Sequence, residues 1–275
     1  MSEKIPTASL IMAAGRGSRM KTYEGNKTLL PLVPVQSPFE GSEPILLHIL
    51  KMLPPGPKAI IVNYKSEDVK EVTKDAKAEY FLQPVLNGTG GAILAARDFL
   101  HSLVCDRISI TMGDVPFVKA ETYERLVQKL DEHPMVVLGF VPRDKKRYGV
   151  LEIEEEQVKK ISEWKYWRRY PEKKQTSLRI CNSGIYAVRR AELLHYLPVL
   201  ESRPQIVHKE RNGEMVVIQE YFLTDIVEYM NRDGLSVGYI LSENEWETMG
   251  VDDEDALKKA QAFYAAGPCL PKDRE

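Results

Sequence analysis

An α/β fold built on a doubly wound, mostly parallel sheet is the class this sequence predicts, and three observations carry it. Residues 8–13, 59–62, 108–111 and 136–141 are short runs rich in β-branched and other apolar residues. A strand covered on both faces needs that texture, because it has no solvent side. Residues 45–53, 66–73, 90–103 and 121–132 carry apolar side chains at helical spacing. Strand and helix thus alternate through residues 8–141, the pattern of parallel strands joined by crossover helices.

The texture changes between Tyr148 and Tyr186. Residues 150–154 and 157–161 alternate polar with apolar, which predicts a small antiparallel excursion. The stretch 164–169 (WKYWRR) and the run 171–177 read as a lid or an interface insert. Residues 182–188 resume a strand, and 235–241 supply a late one between amphipathic helices at 220–231 and 253–263. No internal repeat, low-complexity tract or linker interrupts the chain. One domain over residues 1–275 is expected, in halves of about 8–142 and 143–265, with a lid-like insertion in the second and a tail at 266–275.

Composition narrows the function classes. At 43% hydrophobic, the 275 residues can bury a substantial core without disulfides or metals. With 38 basic against 40 acidic residues, no electrostatic footprint for nucleic acid or an anionic membrane is expected. Cys105, Cys181 and Cys269 form no C-x-x-C pair, and the five histidines lack zinc-ligand spacing. Free thiols in a reducing compartment are the simplest expectation. The first residues lack the apolar core of a signal peptide, and the longest apolar stretch, 135–141, is too short to span a bilayer. A cytoplasmic protein is expected.

The chemistry concentrates in a few segments. The first strand runs into Ala13-Ala14-Gly15-Arg16-Gly17-Ser18-Arg19-Met20, with Lys27 eight residues beyond Arg19. Small residues there let backbone N–H groups approach a ligand and form a concave anion site. Arg19 can then neutralise a triphosphate with forked donors, and Lys27 as a point charge. The same residues also suit an ordinary β–α turn with surface cations. A Walker A loop is excluded by the spacing, and the third glycine of a full dinucleotide fingerprint is missing. Residues 83–92 (QPVLNGTGGA) pass from a strand to a helix that Thr89 could cap. The primary amide of Gln83 offers both a donor and an acceptor. Further on, Gly113-Asp114 puts a carboxylate at the carboxyl end of a strand, where α/β sheets bind ligands. Gly250-Val251-Asp252 offers another before a helix. Each aspartate also suits a cap.

Taken in order, Leu10-x-x-Ala13-Ala14-Gly15-x-Gly17-x-Arg19-Met20, Lys27, Gln83-x-x-x-x-Gly88-Thr89 and Gly113-Asp114 resemble the signature segments of sugar-1-phosphate nucleotidyltransferases. The nearest likeness is to the uridylyltransferase domain of the bifunctional N-acetylglucosamine-1-phosphate enzymes, and it runs from about residue 10 to 257. The resemblance implies a Rossmann-like, GT-A-like nucleotide-diphospho-sugar transferase fold, with nucleotide bound by the first half and sugar by the second. It implies that Ala13, Ala14, Gly15, Gly17, Gln83, Gly88, Thr89 and Gly113 bind an NTP, UTP by preference. Arg19, Lys27 and Asp114 would be catalytic, with Mg²⁺ held by Asp114 and Asp252. Gly149, Glu163, Asn182 and Thr224 would hold a sugar 1-phosphate, N-acetylglucosamine 1-phosphate or a related hexose phosphate. The acceptor phosphate, with a second pKa near 6, is already a nucleophile, so no general base is expected. Asn26 stands where proline is usual in the family, Leu86 where glutamine is common, Asp252 for an asparagine and Met112 for a tyrosine. The hexapeptide β-helix of the bifunctional enzymes is missing from this sequence, so acetyl transfer is not expected. A monomer or small homo-oligomer is expected. A thymidylyl- or cytidylyltransferase of the same fold, or a non-catalytic nucleotide-sugar-binding protein, stays open.

Overall fold

Thr7–Met12 is buried at every position and forms β1, as its nearly continuous apolar run requires. The computed structural model describes residues 6–267 except 16, 18, 21, 212 and 213, so Arg16, Ser18 and Cys269 lie outside the described residues. After β1 the chain crosses a long loop to a single 3-10 turn, Lys27–Leu29, and a hairpin of β2 (Pro31–Ser37) and β3 (Glu40–Pro44). Helix α1 (Ile45–Met52), β4 (Lys58–Val62), α2 (Ser66–Thr73) and β5 (Glu79–Leu82) follow. Then come α3 (Thr89–Ala95), α4 (Arg97–Ser102), β6 (Arg107–Met112), α5 (Ala120–Gln128) and β7 (Met135–Phe140). The excursion comprises β8 (Val150–Glu154), β9 (Gln157–Ser162), α6 (Trp164–Trp167) and α7 (Glu172–Ser177). The chain returns through β10 (Cys181–Arg189) and α8 (Arg190–Glu201) to a hairpin of β11 (Gln205–Arg211) and β12 (Glu214–Glu220). It ends with α9 (Asp225–Arg232), β13 (Val237–Leu241) and α10 (Glu254–Ala266).

The main sheet runs β13-β7-β10-β6-β1-β4-β5, with β8 and β9 attached beside β10. Strand β1 is parallel to β4 and β6, β4 to β5, and β7 to β13. Only β10 opposes that path, pairing antiparallel with both β6 and β7. The predicted mostly parallel sheet with a small antiparallel excursion is therefore the observed one. Consecutive side chains of β1 serve opposite faces, as the pleat dictates. Leu10 joins a core cluster with Phe99, Leu100, Leu197 and Met230 of α4, α8 and α9. Ile11 joins the other, with Ile45, Leu46, Leu126 and Leu257 of α1, α5 and α10. Met12 stands opposite Met112, so β1 and β6 end level and their exit loops begin side by side.

Two local expectations need correction. The helix expected over 90–103 is two helices, broken at Ala96, whose N–H folds back to Ile93 O at 3.0 Å. The helix expected from 220 starts at Asp225 instead. Tyr221 has spent its backbone on Asn87 O (2.8 Å) and on Gly90 N–H (2.8 Å), and Glu220 ends β12. Residues 172–177 of the insert are helical, and among the described residues no helix lies between β1 and the 3-10 turn at Lys27–Leu29. Both isolated hairpins and α8 were not anticipated, although Leu193, Tyr196, Leu197 and Leu200 form a clear buried stripe on α8. Among the described residues no helix is long and apolar enough to cross a membrane.

Ser9 and Ser109 face each other across β1 and β6, fully buried, and neither hydroxyl has a hydrogen-bond partner. A buried hydroxyl without a partner keeps its desolvation cost. Ser109→Ala is expected to stay within about 1 kcal/mol of wild type or to stabilise, whereas Ile110→Ala beside it should lose about 2–5 kcal/mol. Guanidinium unfolding of both variants checks this. A loss above about 1.5 kcal/mol for Ser109→Ala would mean the hydroxyl is satisfied.

Candidate active site

The loop after β1 is wrapped around one side chain. Ala13 and Ala14 are buried, and Ala13 N–H continues the sheet to Ile61 O at 2.9 Å. Gly17 has φ +62°, and a Cβ there would press on the Lys27 stem at 3.3 Å, so glycine serves both backbone and space. Gly15 faces Lys27 Cε, with a Cβ position 3.9 Å away. Met20, 4% exposed, anchors the underside of the loop in the core, and its N–H donates to Gly17 O at 2.8 Å.

Lys27 opens the 3-10 turn and sends its ammonium across the ends of the strands. Its Nζ donates to Asp114 Oδ2 and, at 3.0 Å, to Asp252 Oδ1. Arg19 reaches Asp252 Oδ2 from the solvent side at 3.2 Å, with its side chain 69% exposed. Residues 19, 27, 114 and 252 thus meet at one place. Asp114 lies just past β6 and Asp252 just before α10, and Val251 N–H donates to Asp114 O at 2.8 Å, fastening the two segments. Burial works against the Lys27 charge, but Asp114 and Asp252 outweigh it and hold its pKa above the usual value. The lysine is therefore fully charged at neutral pH.

Two carboxylates that share one ammonium also converge on a point that suits a hard divalent cation. Among the described residues no group of three or more His, Cys, Asp or Glu could hold a metal. A cation here would take Asp114 and Asp252, and complete its shell from substrate and water oxygens.

A cavity of about 290 Å³ opens beside this cluster, lined by Gly15, Lys27, Gln83, Gly88, Thr89 and Asp114 among others. Gln83 is buried, and its amide nitrogen donates to Asn87 Oδ1 and to Gly88 O, both at 3.0 Å. Its main-chain oxygen accepts from Asn63 Nδ2 at 2.7 Å. Gly88 has φ +94°, and a Cβ would collide with Tyr221 O at 2.4 Å. Thr89 is not the N-cap; that position is Gly88, and the Thr89 hydroxyl accepts from Leu223 N–H at 3.1 Å. Gly113 N–H donates to Met12 O at 3.0 Å, which seats the Asp114 turn against β1.

The four residues expected around a sugar are brought together only in part. Glu163 and Thr224 line one cavity of about 150 Å³ with Tyr166, Gln205, Phe222 and Asp225. Gly149 abuts Glu163, with a Cβ position 3.5 Å from its Oε2. Burial raises the Glu163 carboxyl above its usual range; Lys165 opposes that shift and Asp225 adds to it. The Asn182 amide instead turns to its own strand, donating to the Tyr186 hydroxyl at 2.8 Å and accepting from Gly184 N–H at 3.1 Å. A roomier cavity of about 600 Å³, between Arg143, Lys145, Trp167 and Arg179, contains none of the expected residues and lies outside the Lys27 cluster.

Sequence reasoning missed several residues of this region. Tyr166 donates to Gln205 Oε1 at 3.0 Å, and Gln205 Nε2 bonds both oxygens of Asp225 at 3.0 and 2.9 Å. Gln205 belongs to a hairpin that local patterning did not reveal. Asn26 had been noted only as a departure from proline.

The bifunctional protein GlmU of Ruegeria sp. is 32% identical over 265 residues, covering 94% of this chain and 53% of that protein. GlmU of Cereibacter sphaeroides (strain ATCC 17025 / ATH 2.4.3) is 31% identical over 265 residues, covering 94% and 52%. The chain therefore spans about half the length of these relatives. A crystal structure from Bacillus anthracis, described as a glucose-1-phosphate thymidylyltransferase in complex with sucrose, superposes with a TM-score of 0.69. It covers 94% of both chains at 21% identity, and so shares the nucleotide-diphospho-sugar transferase fold. Residues 9–232, which hold the glycine loop, Lys27, Gln83 and Asp114, match the model of one family, and on that match the chain belongs to the MobA-like NTP transferase domains.

Proposed function

We propose that this chain transfers a nucleoside monophosphate from an NTP, UTP by preference, to a sugar 1-phosphate, releasing pyrophosphate. The observation that carries the reading is the Lys27 ammonium shared by Asp114 and Asp252 at the mouth of the glycine loop. Residues 8–142 serve the nucleotide and 143–265 the sugar phosphate, within one domain. N-acetylglucosamine 1-phosphate as acceptor is what the resemblance to the bifunctional uridylyltransferases implies, and the GlmU relatives are similar along almost all of this chain.

In this reading an oxygen of the sugar phosphate attacks the α-phosphorus, the bond from that phosphorus to the bridging oxygen breaks, and pyrophosphate departs. The acceptor needs no general base, since its second pKa is about 6. Gly15 and Gly17 let the main chain close on the triphosphate, while Arg19 and Lys27 take up the charge that moves onto pyrophosphate. Asp114 and Asp252 would hold Mg²⁺, which when bound screens the repulsion between the two anionic reactants. Both amide hydrogens of Gln83 are committed, so its carbonyl oxygen is the group left for a base N–H such as that of uracil or thymine. Glu163 would accept from sugar hydroxyls, with Gly149 and Thr224 beside it, while Asn182 would first have to release its bonds to Tyr186 and Gly184. The protein would work in the cytoplasm as a monomer or small homo-oligomer.

Pyrophosphate release with Mg²⁺, across UTP, dTTP and CTP and across N-acetylglucosamine, glucose and mannose 1-phosphates, tests this. Release is expected, strongest with UTP; nucleotide binding without release from any pair would instead mark a non-catalytic binding protein. Arg19→Ala and Asp114→Ala should each cut turnover more than ~10-fold, a loss above roughly 1.4 kcal/mol, with the fold intact by circular dichroism. A variant that keeps more than about a tenth of the rate loses its assigned role.

Glu163 gives a pH signature. Its pKa is raised, so the accepting carboxylate is lost at a higher pH than for an ordinary glutamate. The KM for sugar phosphate should therefore climb as pH falls through a value above the usual glutamate range. Glu163→Gln should bind more weakly throughout and lack that limb. An identical limb in the variant would assign it to the substrate phosphate.

A further inference from the structure

Asn26 is 1% exposed, yet its amide makes four hydrogen bonds into three segments. Nδ2 donates to Ala13 O at the end of β1 (3.3 Å) and to Tyr64 O between β4 and α2 (2.8 Å). Oδ1 accepts from Thr28 N–H (3.0 Å) and from the Thr28 hydroxyl (2.9 Å). Lys27 sits between the anchored residue and the residue that Oδ1 caps, so its Cα is fixed on both sides. The backbone of Asn26 has φ −79° and ψ 123°, an extended conformation with φ inside the range that a proline ring locks.

We infer that Asn26 is a positioning residue for Lys27. Its side chain holds, by hydrogen bonds, the backbone shape that proline would hold covalently. It also ties the lysine-bearing turn to the two parallel strands that frame the glycine loop. This matters because lysine is a flexible four-carbon stem carrying a point charge. From a loose loop, such a stem would sample many places besides the gap between Asp114 and Asp252. Misplacing a catalytic group by ~1 Å can cost about 10²-fold in rate. Proline alone would preset φ but could not supply the ties to Ala13 and Tyr64. Those ties secure the turn against the strands, while the preset φ sets where Lys27 begins. The inference rests on the role proposed for Lys27 above.

The test compares Asn26→Ala, Asn26→Pro and Lys27→Ala with wild type by pyrophosphate release from UTP and N-acetylglucosamine 1-phosphate. Thermal melts and near-ultraviolet circular dichroism run alongside. Asn26→Ala should lower kcat by about 10- to 100-fold with KM for UTP changed less than about 3-fold. Asn26→Pro, which loses the same four side-chain bonds and should melt about as early, is expected to regain most of that kcat. Activity and stability would then part company, which a purely structural role does not allow. The inference is overturned if Asn26→Ala keeps the wild-type kcat, if both variants lose activity equally, or if activity tracks the folded fraction. Lys27→Ala separates the two readings. An inactive Lys27→Ala beside a normal Asn26→Ala removes only the positioning role, whereas an active Lys27→Ala, or a silent wild type, removes both.

Discussion

One lysine ammonium held between two carboxylates is the constraint on which the arrangement of this molecule depends. Lys27 and Asp114 are largely buried, with side chains 13% and 10% exposed, so neither could stand there alone. Removing Lys27 would leave the buried Asp114 charge without compensation, at a cost of roughly 3–5 kcal/mol, whereas Lys27 without Asp114 keeps Asp252 at 3.0 Å. The fold answers that demand by topology. Strands β1 and β6 are adjacent, parallel and level at their ends, so the loop that bears Lys27 and the turn that bears Asp114 emerge together. The chain then needs β7 to β13 before it can return Asp252, which a backbone hydrogen bond from Val251 to Asp114 fastens in place.

Close backbone approach is the second theme, and it is local to the same region. Gly17 takes a left-handed turn under the lysine stem, and Gly88 meets the Tyr221 carbonyl where any side chain would collide. Tyr221 in turn exchanges main-chain hydrogen bonds with Asn87 and Gly90. These contacts join the segment after β5 to the segment after β12. The two halves of the chain are therefore joined at the cavity itself.

The insert that reads as a lid or an interface element in the sequence is held by plain local contacts. Its tryptophan Trp167 donates to Tyr148 O at 2.8 Å, one residue from Gly149. Lys145 lies over the Trp167 ring and donates to Gln175 O and Leu178 O, while Arg147 and Arg168 both cover the Trp164 ring. Cations on aromatic faces gain about 0.5–1 kcal/mol each at exposed sites. Lys145 and Arg147 thereby fasten the loop before β8 to α6 and α7.

Buried strands and amphipathic helices were legible because each is decided by its own few residues: 66–73 and 150–154 form at the predicted limits. The glycine loop, Gln83, Asp114 and Asp252 stood out as candidates, since small residues, an amide and carboxylates beside strands and helices suit a ligand as well as a turn or a cap. The hairpins of 31–44 and 205–220 were not, because their pairing satisfies no local apolar period. The helix expected from 220 failed because Tyr221 is claimed by residues more than 130 positions earlier. By itself the sequence determined which groups carry charge and which backbones can bend. The tertiary structure alone decided that residues 19, 27, 114 and 252 meet, that Asn182 turns to its own strand, and that Asn26 bonds to Ala13 and Tyr64. Such meetings depend on distances between segments far apart in the chain, and no local pattern encodes a distance.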